Sequence, residues 1–86
     1  MKIAYSRSFK KMFKKQPVKI QEVFFERIEI FINNPNNPIL RVHSLHGEWA
    51  SCKSINITGD IRVVYEEISI GTVELIAIGS HSELYS

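Results

Sequence analysis

A short run rich in asparagine and proline divides this chain into two parts with different hydrophobic patterns. The run is NNPNNP at residues 33–38, and both residue types stop helices and favour turns. Before it, apolar residues recur at helical spacing, and after it they alternate with polar residues. The sequence therefore predicts an α+β fold in which helices come first and a sheet follows.

Two helices are predicted before this run. Phe9, Met12 and Phe13 lie at helical spacing, and Ser6 or Ser8 is placed to cap the helix that contains them. Pro17 interrupts the pattern and suits the first turn of a second helix. The positions at helical spacing in that second helix are Ile20, Val23, Phe24, Arg27, Ile28 and Phe31.

The remainder of the chain predicts a small sheet. Alternation and turn residues indicate strands at residues 49–57, 61–68 and 72–78, joined as an antiparallel meander. Residues 2–5 also alternate and predict a fourth strand at an edge, whereas residues 39–48 have no assignable pattern. The predicted architecture is a single domain over residues 1–86, with two N-terminal helices on a four-stranded antiparallel sheet in the order β-α-α-β-β-β.

Charge is distributed unevenly along the chain. The formal net charge is +2, but residues 1–20 hold seven bases and no acid, and the remainder holds four bases against nine acids. A basic stripe over residues 10–19 is typical of a polyanion binder, and equally of a solvated helix face. A small nucleic-acid-binding module is therefore one candidate function.

Cysteine content and hydropathy indicate the cellular compartment in which this protein is expected. Cys52 is the single cysteine, so the sequence predicts neither an intrachain disulfide nor a multi-cysteine zinc site. No apolar run has the length of a signal peptide core or of the roughly 20 residues of a membrane helix. We expect a soluble cytoplasmic protein with no membrane partner.

Several polar residues of the predicted sheet are candidates for a binding site. His43 and His46 are three residues apart, but no carboxylate or cysteine completes a zinc-ligand pattern, so no metal or other cofactor is predicted. The sheet face away from the helices could gather cations, an imidazole and a phenol, a set that suits a phosphate-containing substrate. These residues are Lys53, Asn56, Arg62, His81 and Tyr85. Each also has a structural explanation, such as a cross-strand ion pair for Arg62.

Three sequence motifs carry a resemblance to a known family. HSLHGEW at residues 43–49, GDIRVVY at 59–65 and IGSHSELY at 78–85 resemble the RelE/YafQ superfamily of toxins of type II toxin–antitoxin systems, and the YafQ branch in particular. The resemblance implies a twisted antiparallel sheet with two helices on one face. It also implies an endoribonuclease that cuts mRNA in the ribosomal A site, touches ribosomal RNA and is silenced by a cognate antitoxin in a hetero-oligomer.

The resemblance also implies roles for individual residues. His43, Asp60 and His81 fall at catalytic positions, and Arg62, Lys53 and Tyr85 fall at substrate-facing positions. His46 stands where relatives often carry a base, so it is a candidate phosphate contact. Asn56 stands where YafQ relatives have a histidine, and an amide can hydrogen-bond RNA but cannot exchange a proton near neutral pH.

The chemistry implied for such a site needs no metal. RNA supplies its own nucleophile, the 2′-hydroxyl, so the protein must move two protons and stabilise the charge on the phosphorane. Histidine as a residue type, with an ordinary pKa of about 6.5, serves as acid or base at cellular pH. In this interpretation Asp60 would orient a histidine. The alternative is a catalytically weak or inactive member of the fold that binds an antitoxin or RNA.

Overall fold

The computed structural model describes residues 1–85; Ser86, the last residue of the predicted domain, lies outside the described residues. The predicted α+β class is confirmed. The strands are β1 (Lys2–Tyr5), β2 (His43–Ser44), β3 (Lys53–Asn56), β4 (Ile61–Ser69) and β5 (Thr72–Ser80). The helices are α1 (Arg7–Lys14), α2 (Val18–Asn33) and α3 (His81–Tyr85), with 3-10 turns at Pro38–Leu40 and Gly47–Trp49.

The sheet has five strands in the order β1-β5-β4-β3-β2, rather than the four predicted. The added strand is β2, which comes from the segment without an assignable pattern. β1 lies at an edge, as predicted, but it runs parallel to β5, with Lys2 opposite Thr72. The other pairs are antiparallel.

Two predicted boundaries differ from the structure. The strand predicted at residues 49–57 starts only at Lys53, because a turn begins at Gly47, whose φ is +65°. In that turn the N–H groups of Ala50 and Cys52 donate to the carbonyls of Gly47 and Trp49. The strand predicted at residues 72–78 extends to Ser80, and the residues that follow, for which no element was predicted, form α3.

Helices α1 and α2 cover one face of the sheet and enclose the main core. Its buried members are Phe9, Phe24, Ile28, Phe31, Leu40, Ile55, Ile57, Val63, Tyr65, Val73, Leu75 and Ile78. A smaller cluster of Cys52, Val64, Ala77 and Leu84 lies apart from it, with Trp49 and Tyr85 packed against it. Burial raises the pKa of the Cys52 thiol, so this cysteine behaves as a small apolar core residue.

A β-bulge in β5 allows both clusters to form. Val64 lies opposite Ala77 while Tyr65 lies opposite Leu75, so Ile76 has no partner on β4. The extra residue reverses the alternation of side chains along the strand. Leu75 and Ile78 can therefore both join the main core, while Ala77 joins the smaller cluster.

One serine connects the bulge to the first helix. Ser6 is the N-cap of α1, and its hydroxyl oxygen accepts a hydrogen bond from the Phe9 N–H at 2.9 Å. The same hydroxyl donates to the carbonyl of Ile76, the bulged residue, at 3.0 Å. The sequence allowed either Ser6 or Ser8 as the cap, and the structure selects Ser6.

Replacing Ser6 tests this connection. Ser6→Ala removes the helix cap and leaves the Ile76 carbonyl without its partner, so we expect the free energy of unfolding to fall by about 2 kcal/mol. Urea unfolding measures this difference. Ser8→Ala is the matched control, because the Ser8 side chain is exposed and contacts only the Met12 sulfur, at 3.8 Å. Equal losses in both variants would contradict the role assigned to Ser6.

Candidate active site

A cleft of about 440 Å³ brings together five of the eight residues that the sequence predicted for the site. Those five are His43, His46, Arg62, His81 and Tyr85. The remaining lining residues are Ser44, Leu45, Trp49 and Ser54. We call this cleft the histidine cleft.

Strand register places the first histidine in this cleft. His43 on β2 pairs with Ser54 on β3, which pairs with Val64 on β4. Since directly paired residues share a face of the sheet, His43 lies on the same face as Val64. Arg62 is two residues before Val64 and lies on that face as well.

His81 and Arg62 form a direct hydrogen bond. The Nη1 atom of Arg62 lies 3.0 Å from Nδ1 of His81. A guanidinium group only donates hydrogen bonds, so Nδ1 is the acceptor and the neutral imidazole carries its hydrogen on Nε2. The Nδ1 lone pair is therefore occupied by Arg62 in the free protein.

A capping box holds His81 at the start of α3. The backbone N–H of Ser80 donates to Oε1 of Glu83 at 2.8 Å, and the N–H of Glu83 donates to the Ser80 hydroxyl at 3.2 Å. Hydrogen bonds from the backbone N–H and from the side chain of Ser80 hold the pKa of the Glu83 carboxyl below its usual range. Gly79 makes room for this arrangement, since a Cβ atom there would lie 3.1 Å from Oε1 of Glu83.

Aromatic side chains form one side of the histidine cleft. The rings of His81 and Tyr85 meet edge to face with centroids 4.8 Å apart, one helical turn apart on α3. The Tyr85 hydroxyl is buried and has no hydrogen-bond partner among residues 1–85. His46 is exposed and precedes the turn that carries Trp49.

A second cleft of about 350 Å³ shares Arg62 with the first. Its lining residues are Arg27, Ile39, Arg41, Asn56, Ile57, Thr58, Gly59 and Arg62. We call it the arginine cleft. Asn56 pairs with Arg62 across β3 and β4, so the sixth predicted residue lies beside the histidine cleft and not in it.

The structure does not bring Lys53 to either cleft. Lys53 pairs with Tyr65, whose ring packs against Phe31 of α2 with centroids 4.9 Å apart. Paired residues share a face, so Lys53 lies on the helix-covered side of the sheet. It lines a separate depression together with Phe31 and Glu67. The predicted convergence of Lys53 with Arg62 is therefore corrected.

Asp60 also lies outside both clefts. It is exposed in the turn between β3 and β4, where its backbone N–H donates to the Thr58 hydroxyl at 3.3 Å. The hydrogen-bond partner of His81 is Arg62. The interpretation in which Asp60 orients a histidine is not supported by this arrangement.

Sequence reasoning missed two arginines and one tryptophan of the clefts. Arg27 interrupts the otherwise apolar stripe of α2, and a charged residue at such a position was the available signal. Arg41 follows the Pro38–Leu40 turn in a left-handed conformation, with φ +48°. Trp49 was placed in a strand, which hid its position beside the cleft.

No group of three His, Cys, Asp or Glu side chains within residues 1–85 could hold a metal ion. His43, His46 and His81 all line the histidine cleft, but they do not form a group of three that could hold a metal ion together. In the same range, no helix is long and apolar enough to cross a membrane.

An apolar groove lies on the helical side of the molecule. Its floor is a set of aromatic rings in mutual contact, and two lysines border it; the lining residues are Tyr5, Phe9, Lys10, Phe13, Lys14, Phe24 and Phe25. The Phe13 and Phe24 centroids are 5.1 Å apart, and those of Phe24 and Phe25 are 5.2 Å apart. Phe25 is 58% exposed. We call this surface the aromatic groove.

Comparison with protein families gives one match over the whole sequence. The family model described as "Bacterial toxin of type II toxin-antitoxin system, YafQ" matches residues 1–86. A comparison with curated proteins gives no match.

Solved structures give matches over nearly the whole chain. A copper-bound mutant toxin from Helicobacter pylori is 29% identical, with a TM-score of 0.77 and 99% of both chains covered. YafQ from E. coli is 19% identical, with a TM-score of 0.83, covering 98% of this chain and 97% of that one. YafQ in the E. coli DinJ–YafQ complex is 18% identical, with a TM-score of 0.72 and the same coverage. The two E. coli structures support the fold alone.

The capping box generates a pH-dependent prediction. Because the pKa of Glu83 is lowered in the folded protein, its stabilisation of α3 is complete above the ordinary glutamate pKa and is lost as pH falls through the lowered value. We expect the Ser80 amide resonance to shift through that transition, with a midpoint below the ordinary glutamate pKa. Glu83→Gln keeps an acceptor without the titrating proton, so its Ser80 resonance should not follow this transition. Identical titrations in the two proteins would contradict the capping box.

Proposed function

The chain belongs to the YafQ family of toxins of type II toxin–antitoxin systems, and from this premise we propose that it is a ribosome-dependent endoribonuclease that cuts mRNA without a metal ion. The observation that carries the proposal is the histidine cleft, which is lined by His43, His81 and Arg62. A ribosomal target places the protein in the cytoplasm.

The three side chains match the requirements of RNA cleavage by its own 2′-hydroxyl. One histidine accepts the 2′-hydroxyl proton as the oxygen attacks phosphorus, and the other donates a proton to the departing 5′-oxygen as the bond between phosphorus and that oxygen breaks. Arg62 binds the non-bridging oxygens, where negative charge grows in the transition state. The products are a 2′,3′-cyclic phosphate and a 5′-hydroxyl.

The hydrogen bond between Arg62 and His81 suggests which histidine accepts a proton and when it becomes able to do so. In the free protein Arg62 occupies Nδ1 of His81. A bound phosphate is a stronger acceptor for the guanidinium group than a neutral imidazole. Phosphate binding therefore draws Arg62 away and frees Nδ1 to accept the 2′-hydroxyl proton, which leaves His43 as the proton donor.

The other predicted residues have smaller roles in this proposal. The ring of Tyr85 lines the cleft beside His81, where it can pack against the substrate, and His46 is exposed at the rim, where it can contact a phosphate. Asn56 contributes hydrogen bonds and no proton transfer. Asp60 and Lys53 are left out, because neither lines the histidine or the arginine cleft.

Substitution of the histidines tests the catalytic proposal. His81→Ala and His43→Ala should each lower the rate of mRNA cleavage on translating ribosomes by about 10² to 10⁴, because each removes one proton transfer. Mapping of mRNA ends measures the rate, and circular dichroism checks that each variant is folded. Glu29→Gln, an exposed change on α2, is the control and should cleave like the wild type.

Two outcomes would contradict the proposal in different ways. Identical cleavage by wild type and His81→Ala would remove His81 from the mechanism. If induction of the wild-type chain without an antitoxin leaves growth and mRNA intact, the enzyme proposal fails. The chain would then be a non-catalytic member of the fold that binds an antitoxin or RNA.

We also propose that a cognate antitoxin binds this chain in a hetero-oligomer. The solved complex of E. coli YafQ with DinJ supports a partner of this kind. The aromatic groove is the candidate surface, because it combines exposed rings with the border of Lys10 and Lys14. An amphipathic segment with apolar anchors and flanking carboxylates complements both features.

A charged residue in the aromatic groove should weaken the antitoxin complex. Phe25→Asp places a carboxylate among the rings and beside the expected acidic partner, so we expect the dissociation constant to rise at least about tenfold. The partner for the measurement is the cognate antitoxin, which we expect to be a small acidic protein encoded beside this gene, and titration calorimetry gives the constant. Val18→Asp makes the same change at a 70% exposed residue of α2 that does not line the groove. Equal effects of the two variants would contradict the assignment.

A further inference from the structure

Three arginines from separate parts of the chain converge on the arginine cleft. Arg27 comes from the middle of α2, Arg41 from the turn before β2, and Arg62 from β4. The lining residues include no Asp or Glu; Asp60, in the adjoining turn, is exposed to solvent. Grouping like charges without a carboxylate between them costs energy in the free protein. A bound anion would remove that cost.

One unpartnered hydrogen-bond donor at the cleft points to the same kind of ligand. Among residues 1–85, Nε of Arg62 is buried and has no hydrogen-bond partner. A buried N–H group without an acceptor is costly and uncommon in folded proteins. An oxygen of a bound anion can supply the acceptor that Nε of Arg62 lacks, and Thr58 and Asn56 line the same space with further polar groups.

Arg62 connects this cleft to the histidine cleft, because it lines both. A single phosphate group fills one of the two sites. A ligand that occupies both must carry two anionic groups in succession, which is the repeating property of a nucleic-acid backbone. Arginine suits such a position because its planar guanidinium group can contact two anionic oxygens at once.

We propose that the arginine cleft is a second phosphate subsite, which holds the RNA backbone phosphate adjoining the one cut in the histidine cleft. The inference rests on the proposed endoribonuclease function and extends it by assigning substrate contacts to Arg27 and Arg41. The two clefts together define the line along which the RNA strand crosses the sheet.

Short RNA analogues with neutral linkages test the subsite. The probe is a trinucleotide whose 2′-oxygens are methylated, so that it cannot be cut, and it has two phosphodiester linkages. Two further analogues each replace one linkage by an uncharged methylphosphonate. NMR titration at low salt gives the affinities. For the wild type, each replacement should weaken binding by about tenfold, the loss of one charge-assisted contact.

In variants of the arginine cleft, one of the two methylphosphonate replacements should no longer weaken RNA binding. Arg41→Asn removes the charge while keeping a residue that tolerates the left-handed conformation, and Arg27→Gln removes the second charge. For both variants, neutralising the linkage that occupies the arginine cleft should change the affinity by less than about twofold. Neutralising the linkage that occupies the histidine cleft should still weaken binding by about tenfold. Lys19→Gln, an exposed charge change at a residue that does not line the cleft, should behave like the wild type.

The results separate this inference from the proposed function. If the wild type responds to only one neutral linkage, or if both arginine variants respond like the wild type, the second subsite is excluded. These measurements use an RNA that cannot be cut. A failure of ribosomal cleavage would therefore overturn the enzyme proposal and leave the binding result standing.

Discussion

The paired strands β4 and β5, with one bulge between them, determine where every other part of this protein lies. The bulge at Ile76 directs Leu75 and Ile78 to the same core. The carbonyl of Ile76, the bulged residue, accepts a hydrogen bond from the hydroxyl of Ser6, which also caps α1. Without the bulge, strict alternation would place Ile78 on the face opposite Leu75. The helical core and the sheet face that carries the histidine cleft thus depend on a single inserted residue.

The sheet face that carries both clefts is organised around the guanidinium group of Arg62. Arg62 is bonded to His81 through Nη1, and its Nε atom has no hydrogen-bond partner among residues 1–85. Because Arg62 lines both clefts, one side chain can contact a group in each. Arg62 therefore differs from the other cations of the two clefts, because it alone of them lines both.

Features determined by neighbouring residues could be predicted from the sequence, and features determined by distant pairings could not. Helical spacing and turn residues were sufficient for α1, α2 and the hairpin of β4 and β5. The parallel pairing of β1 with β5 has no local signal. For the site, motif resemblance identified the residues that meet in the histidine cleft. It misplaced Lys53, because the turn at Gly47 delays β3 and its register then directs Lys53 toward the helices.

The parallel pairing of the first and last strands has a consequence for the order of folding. Lys2 pairs with Thr72, so this contact closes a loop that includes most of the protein chain. Closing so long a loop carries a large entropy cost. The helical hairpin and the β4–β5 hairpin can form from local contacts beforehand. β1 is thus expected to dock last, and Ser6 reaches the bulge only at that step. The connection between α1 and the bulge is consequently completed at the end of folding, after the helices have formed.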